Sequence, residues 1–177
     1  MPTYIAFLRA VNVGKRAYPM AELRAALAAA GYADVATYIQ TGNVLLSSPR
    51  RSRAKVEDEL ERLFEQDRGF TVSTVVLTPQ ELRQVAADAD ELAAVHPAGH
   101  GHYVSLLKDE PTAAGAEQLE RHGFPDETVV VRQRAVHLLY AKPYHEARMS
   151  NVQIERALGV ATNRNAKVIR ALAAKWA

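Results

Sequence analysis

The sequence predicts an α+β fold: two split β-α-β halves related by internal duplication, the second ending in an extra C-terminal helix. Three observations carry this reading. Short β-branched or alternating stretches take turns with Ala-, Leu- and Glu-rich stretches of helical spacing. Through residue 78 they follow the order β-α-β-β-α-β, which is the ferredoxin-like arrangement. After residue 101 the order begins again, with similar residues at corresponding places.

Thr3–Arg9 (TYIAFLR) is β-branched and aromatic and reads as a strand. Asn12–Pro19 contains Asn, Gly and Pro and reads as a loop. Met20–Ala30 places Met20, Leu23 and Leu27 on one helical face, with Gly31 as the stop. Val35–Gln40 alternates as a strand, Thr41-Gly42 is a tight turn, and Asn43–Ser48 returns as the second arm of a hairpin. Pro49 and Ser52 open a helix whose stripe is Val56, Leu60, Leu63 and Phe64. Phe70–Leu77 reads as the fourth strand. Right-handed crossovers put both helices on one face of the sheet.

Residues 79–101 form a connecting segment. Thr78 caps a helix over Pro79–Leu92, with Pro79 at the first position and Glu81 placed to close a capping box. Val95–Gly101 (VHPAGHG) reads as a linker. The second half, residues 102–177, opens with HYVSLLK, which matches TYIAFLR position by position. A helix follows over Ala113–His122. Its ending, Leu119…Gly123-Phe124-Pro125-Asp126, is spaced like Leu27…Gly31-Tyr32-Ala33-Asp34. Glu127–Arg132 and Val136–Ala141 read as a hairpin. Asn151–Leu158 reads as a helix stopped by Gly159, with Ser150 as its cap. No final strand is evident, and Asn163–Trp176 reads as a helix begun by Thr162-Asn-Arg-Asn165.

Composition narrows the function classes. The chain has 177 residues, 48% hydrophobic and 24% charged, an ordinary globular mix with a core of useful size. It has no cysteine, which excludes disulfides, thiol catalysis and Fe–S clusters. The formal charge of +2 is too small to mark a nucleic-acid footprint. The last thirty residues or so are basic, with Arg148, Arg156, Arg164, Lys167, Arg170 and Lys175 against Glu155 alone; such a run usually forms a solvated helix face. The first apolar stretch is short and broken by Arg9, unlike a signal peptide, and no run is long enough to span a membrane. A cytoplasmic chain without membrane partners is expected.

In a split β-α-β unit the loop after the first strand meets the turn between the second and third. That edge gathers Arg9, Asn12, Gly14, Lys15 and Arg16 with Gln40, Thr41, Gly42 and Asn43. Cationic forks, amides and glycine-exposed backbone N–H groups suit an anion, and the helix starting at Met20 opens toward the same edge. Asn12, Gly14, Gly42 and Asn43 equally supply turn geometry, and Arg9 and Gln40 can be solvated strand ends. Gly14-Lys15 lacks the upstream glycine of a Walker loop, so ATP hydrolysis is not expected.

RAVNVGK (Arg9–Lys15), Met20-Ala-Glu-Leu23, TYIQTGNV (Thr37–Val44) and Leu158-Gly159…Thr162-Asn-Arg164-Asn165 resemble the bacterial family called domain of unknown function 1697. The chain departs from that pattern at Ala10, where the family has glycine, at Thr41, where it has serine, and at Ala166, where tryptophan often follows. The resemblance implies a cytoplasmic bacterial protein with ferredoxin-like halves and no assigned activity. It suggests one group of ligand-binding candidates: Arg9, Asn12, Lys15, Gln40, Asn43, Arg164 and Asn165.

Other constellations carry less. His96, His100 and His102 lack a nearby carboxylate and read as a polar linker, so no metal is expected. No G-x-S-x-G elbow accompanies Ser150. Glu57, Asp58, Glu59 and Glu61 read as a surface run, and Arg50, Arg51, Arg53 and Lys55 as a solvated helix start. Central-strand aromatics are too few for RNA stacking of the usual kind. The expected function is binding of a small anionic or nucleotide-like ligand at the loop-and-hairpin edge, without a cofactor. The alternatives are an enzyme using the same cleft, and nucleic-acid binding through the basic C-terminal segment.

Overall fold

Tyr4 to Leu8 are all buried, which explains why the first strand reads as an unbroken apolar run: a strand covered on both faces has no polar side to show. The computed structural model of the chain describes residues 1–96 and 98–177; Pro97, within the expected linker, lies outside the described residues. These residues form six α-helices, a short 3-10 turn at Tyr144–Glu146 and two four-stranded antiparallel sheets. They divide into two units, Met1–Glu81 with Trp176–Ala177, and Leu82–Lys175. No helix among the described residues is long and apolar enough to cross a membrane.

The first unit contains β1 (Thr3–Leu8), α1 (Met20–Ala29), β2 (Ala33–Tyr38), β3 (Asn43–Ser47), α2 (Arg53–Arg68) and β4 (Thr74–Leu77). The sheet order is β2-β3-β1-β4. Met20, Leu23 and Leu27 of α1 and Val56, Leu60 and Phe64 of α2 are buried in one cluster with Tyr4, Ala6, Leu8, Val44 and Leu46. Ser52 caps α2 by accepting from the Lys55 amide at 3.4 Å.

Three expectations change here. Tyr38 pairs with Asn43, so the hairpin turn holds four residues, Ile39 to Gly42, instead of two. The fourth strand starts at Thr74, because Thr71 and Ser73 give their carbonyls to Arg16 and to the Arg9 amide in the loop after β1. Glu57 and Glu61 are not surface acids. Glu57 is 3% exposed; its Oε1 accepts from the Val76 amide at 3.0 Å, and Glu61 accepts from the Thr74 amide at 2.8 Å. The α2 carboxylates thus satisfy amides on the outer side of β4.

The second unit contains most of α3 (Pro79–Val95), β5 (Gly101–Leu107), α4 (Ala113–Glu120), β6 (Glu127–Arg132), β7 (Ala135–Tyr140), α5 (Asn151–Leu158), β8 (Ala161–Asn165) and nearly all of α6 (Ala166–Trp176). The sheet order is β6-β7-β5-β8. The capping box that starts α3 forms: the Thr78 amide donates to Glu81 at 2.7 Å and the Glu81 amide to Thr78 Oγ1 at 3.2 Å. The Ser150 amide donates to Gln153 at the start of α5. Leu119, Ile154 and Leu158 of α4 and α5 share a core with Val129, Val136, Leu138 and Tyr140.

The largest correction is β8. Ala161–Asn165 is a strand paired along β5, not the first turn of a helix, and α6 starts only at Ala166. Its polar sequence hid it. Asn163 Nδ2 donates to Ser105 Oγ, which donates to Asn151 Oδ1, while Asn151 Nδ2 donates to the Ala161 carbonyl. Tertiary partners therefore satisfy side chains that a strand ordinarily disfavours. His102 is also part of β5 and buried, not part of a polar linker.

Glu127 anchors the segment after β7. Its carboxylate accepts from the Arg148 and Met149 amides and pairs with Lys142 at 2.7 Å. Burial alone would raise its pKa, but Lys142 and the two amides outweigh that and lower it from 4.5. Its contribution to stability is therefore full above that value and lost as pH falls through the depressed one. We predict that the wild-type chain loses more stability than Glu127→Gln as pH falls below 4.5, as read by urea midpoints across pH. Glu57→Ala, which removes the carboxylate that accepts from the Val76 amide, should cost about 1–3 kcal/mol in the same assay.

Candidate functional site

The loop after β1 is folded by its own side chains. Ala10, Asn12 and Gly14 have φ of +55°, +56° and +55°, and Asn tolerates this left-handed region because its short amide bonds locally. Asn12 Oδ1 accepts from the Tyr18 amide at 2.8 Å; its Nδ2 donates to the Tyr18 carbonyl at 3.0 Å and the Gln40 carbonyl at 2.6 Å. The last bond crosses to the β2–β3 turn. Two further contacts hold the junction. The Leu8 amide donates to the Gly42 carbonyl at 2.8 Å, and Gly42, at φ +84°, leaves no room for a Cβ, which would lie 2.8 Å from both Leu8 and Val11 side chains.

The loop after β1 and the β2–β3 turn therefore meet, with Asn12 of the first bonded to the Gln40 carbonyl of the second; Arg9 and Lys15 stand on the first loop, and Asn43 closes the second. Their roles differ. Asn43 is fully buried, and its Nδ2 donates to the Tyr38 carbonyl and Thr41 Oγ1, both at 3.0 Å. Asn12 and Asn43 are thus posts that hold the turn. Arg16 turns away from ligand duty: Nε donates to the Ala10 carbonyl, one terminal nitrogen to the Thr71 carbonyl, and the guanidinium lies 4.6 Å above the Phe70 ring. Lys15 and Gln40 have exposed side chains, and Arg9 is half-buried. Beside them stand Val13, 53% exposed, and Ile39, 45% exposed. Ile39 has φ of +53°, a conformation costly for a β-branched residue.

Arg164 and Asn165 belong to the second unit, on β8. Arg164 is 7% exposed, and burial lowers its pKa to about 10. Its guanidinium donates to Thr162 Oγ1 and the Asn163 carbonyl, both at 2.8 Å. Asn165 Oδ1 accepts from the Lys167 amide at 2.8 Å, so Asn165, not Thr162, caps the last helix.

Sequence reasoning missed one buried polar pair. His102 Nε2 and His137 Nδ1 lie 3.2 Å apart, with 8% and 0% exposure. Burial depresses both pKa values, to about 4 for His102 and about 3 for His137, with Arg170 acting in the same direction on both. The only sequence signal was a histidine at an apolar position in each strand.

Two outcomes follow from these contacts. Both histidines stay neutral in the folded chain while they protonate in the unfolded one below 6.5. Stability should therefore fall as pH drops from 6.5 toward 4, and His137→Phe should flatten that slope in thermal melts across pH. Asn12→Ala should cost about 1–3 kcal/mol by urea denaturation and speed amide exchange at Leu8 and Tyr18.

No curated protein matches the chain. Among solved structures, the conserved bacterial protein SP0830 from Streptococcus pneumoniae is similar over 99% of this chain and 98% of its own, with a TM-score of 0.80 and 21% identity; that likeness speaks for the fold. The family model described as "Protein of unknown function (DUF1697)" matches residues 1–137, a stretch that contains the β1 loop and the β2–β3 hairpin and ends within β7, and the chain belongs to this family.

Proposed function

We propose that the chain is a binding protein for a small anionic, nucleotide-like ligand, docked where the loop after β1 meets the β2–β3 turn. The observation that carries this reading is the Asn12 bridge to the Gln40 carbonyl. It spends one amide on fixing two loops and leaves Lys15 and Gln40 side chains exposed at the junction. Lys15 and Arg9 supply charge for an oxyanion. Val13 and the strained, exposed Ile39 supply apolar surface for the rest of the ligand. Backbone strain kept at an exposed position is a mark of functional loops.

The two units are further read as ferredoxin-like halves related by internal duplication. Counted from each unit's first strand, both sheets run 2-3-1-4, and β8 supplies the fourth strand that the repeat requires, with α6 as the addition. A cytoplasmic location belongs to the same reading. Nucleic-acid binding through the C-terminal segment has weaker support, because Arg164 is buried and Arg170 pairs with Asp90 at 2.6 Å.

Titration of the 15N-labelled chain with nucleoside mono-, di- and triphosphates tests the site. Saturable shifts should fall on the amides of Val13–Arg16 and Ile39–Gly42, and Lys15→Ala should weaken the interaction roughly tenfold. Silence at both loops with every nucleotide would remove the proposal.

A further inference from the structure

The second unit holds a cavity of about 370 Å³ where α6 begins, lined among others by His100, His102, Tyr103, Asn165, Lys167 and Arg170. Of the residues that the sequence grouped as ligand-binding, only Asn165 takes part. We propose that this cavity binds the phosphate group of a small organic phosphate monoester, with Lys167, Arg170 and His102 as its donors. This site is independent of the reading given for the β1 loop.

Charge is the first argument. The titratable side chains among the described lining residues are those of histidines, a tyrosine, a lysine and an arginine, with no carboxylate. The Lys167 side chain is exposed. Arg170 is held by Nε bonding to Asp90 at 2.6 Å, which orients the fork while the Asp90 side chain stays 67% exposed to water. The start of α6 adds to this charge. Asn165 caps the 11-residue helix through the Lys167 amide, and the first turn of a helix presents unpaired N–H groups and the positive end of its dipole.

His102 supplies an argument that does not depend on the helix. It lines the cavity, is 8% exposed, and its Nδ1 has no hydrogen-bond partner. A buried polar atom without a partner is costly and calls for an explanation. The neutral His102–His137 pair has two ring protons, one of which lies in the bond between the rings. The other sits on His102 Nδ1 or on His137 Nε2, according to the direction of that bond. An oxyanion selects the first arrangement: His137 Nδ1–H donates to His102 Nε2, and His102 Nδ1–H donates to the ligand. The pair then responds to an anion by a change of tautomer without taking up a proton.

Size selects an ester over free phosphate. The volume lies in the range of small-molecule pockets, roughly 300–1,000 Å³, and exceeds what one phosphate fills. The Tyr103 ring packs against those of Tyr140 and Tyr144, and Gly101, where a Cβ would stand 2.8 Å from Tyr103 Cε2, leaves it the room to do so.

The test is NMR of the full chain, labelled with 15N in backbone and histidine rings, against adenosine 5′-monophosphate, ribose 5-phosphate and inorganic phosphate. At least one ester should give saturable shifts of the Ala166–Arg170 amides and move the His102 Nδ1 signal toward its protonated-nitrogen position. Inorganic phosphate should bind more weakly. Lys167→Ala, a surface change that spares the fold, should weaken ester binding roughly tenfold or more, and Lys167→Arg should restore it. Absence of saturable shifts in this region, or equal affinity in Lys167→Ala, overturns the site. Inorganic phosphate binding as tightly as both esters overturns the ester assignment. Shifts confined to Val13–Arg16 and Ile39–Gly42 would belong to the β1 loop and would likewise overturn this site.

Discussion

One carboxamide sets the geometry of the edge where the first unit's β1 loop meets its hairpin turn. Asn12 engages three backbone groups, two on Tyr18 and one on Gln40. It does so from a left-handed backbone that it adopts more readily than most residues. Without it, the loop after β1 loses its side-chain bond to the hairpin turn and keeps the Leu8–Gly42 backbone bond. Gly42 completes the constraint from the other side, since its missing Cβ is the space that Leu8 and Val11 fill. The two residues look like turn formers in sequence. In space they are a clamp, and every candidate ligand contact on that edge depends on the clamp.

A second device recurs in both units. The last strand of each sheet is short and leaves amides on its outer side, and the helix that precedes it supplies acceptors. Glu57 and Glu61 of α2 serve Val76 and Thr74 of β4. Glu155 of α5 accepts from the Ala161 amide at the start of β8. Asn151 of the same helix donates to the Ala161 carbonyl at the same place. Helix side chains that a surface reading treats as solvated are therefore parts of the sheet. Their desolvation is offset by bonds to groups that would otherwise be orphaned.

Several basic side chains are committed to such internal work. Arg16 holds the loop after β1, Arg68 pairs with Glu22, and Arg170 pairs with Asp90. Arg164 is buried against strand carbonyl and hydroxyl oxygens. Lys15, Lys55, Lys167 and Lys175 are exposed, and of these Lys15 and Lys167 stand at the two candidate sites. A formal count of basic residues has little bearing on binding here; the places where backbone geometry is pinned beside an exposed cation have more.

The sequence by itself determined the alternation of elements, because apolar spacing and caps are local properties. The helix stripes, the Thr78–Glu81 box and the Ser150 cap lie where spacing places them. It also determined that the β1 loop and the hairpin meet, because strand order and handedness leave few alternatives. Tertiary structure alone decided β8, whose Asn163 has low strand preference until Ser105, Asn151 and β5 satisfy it. It alone decided the burial of Glu57 and the pairing of His102 with His137. These are long-range meetings of polar groups. Hydrophobic periodicity carries no record of them, because a polar side chain is written the same way whether water or a buried partner completes its hydrogen bonds.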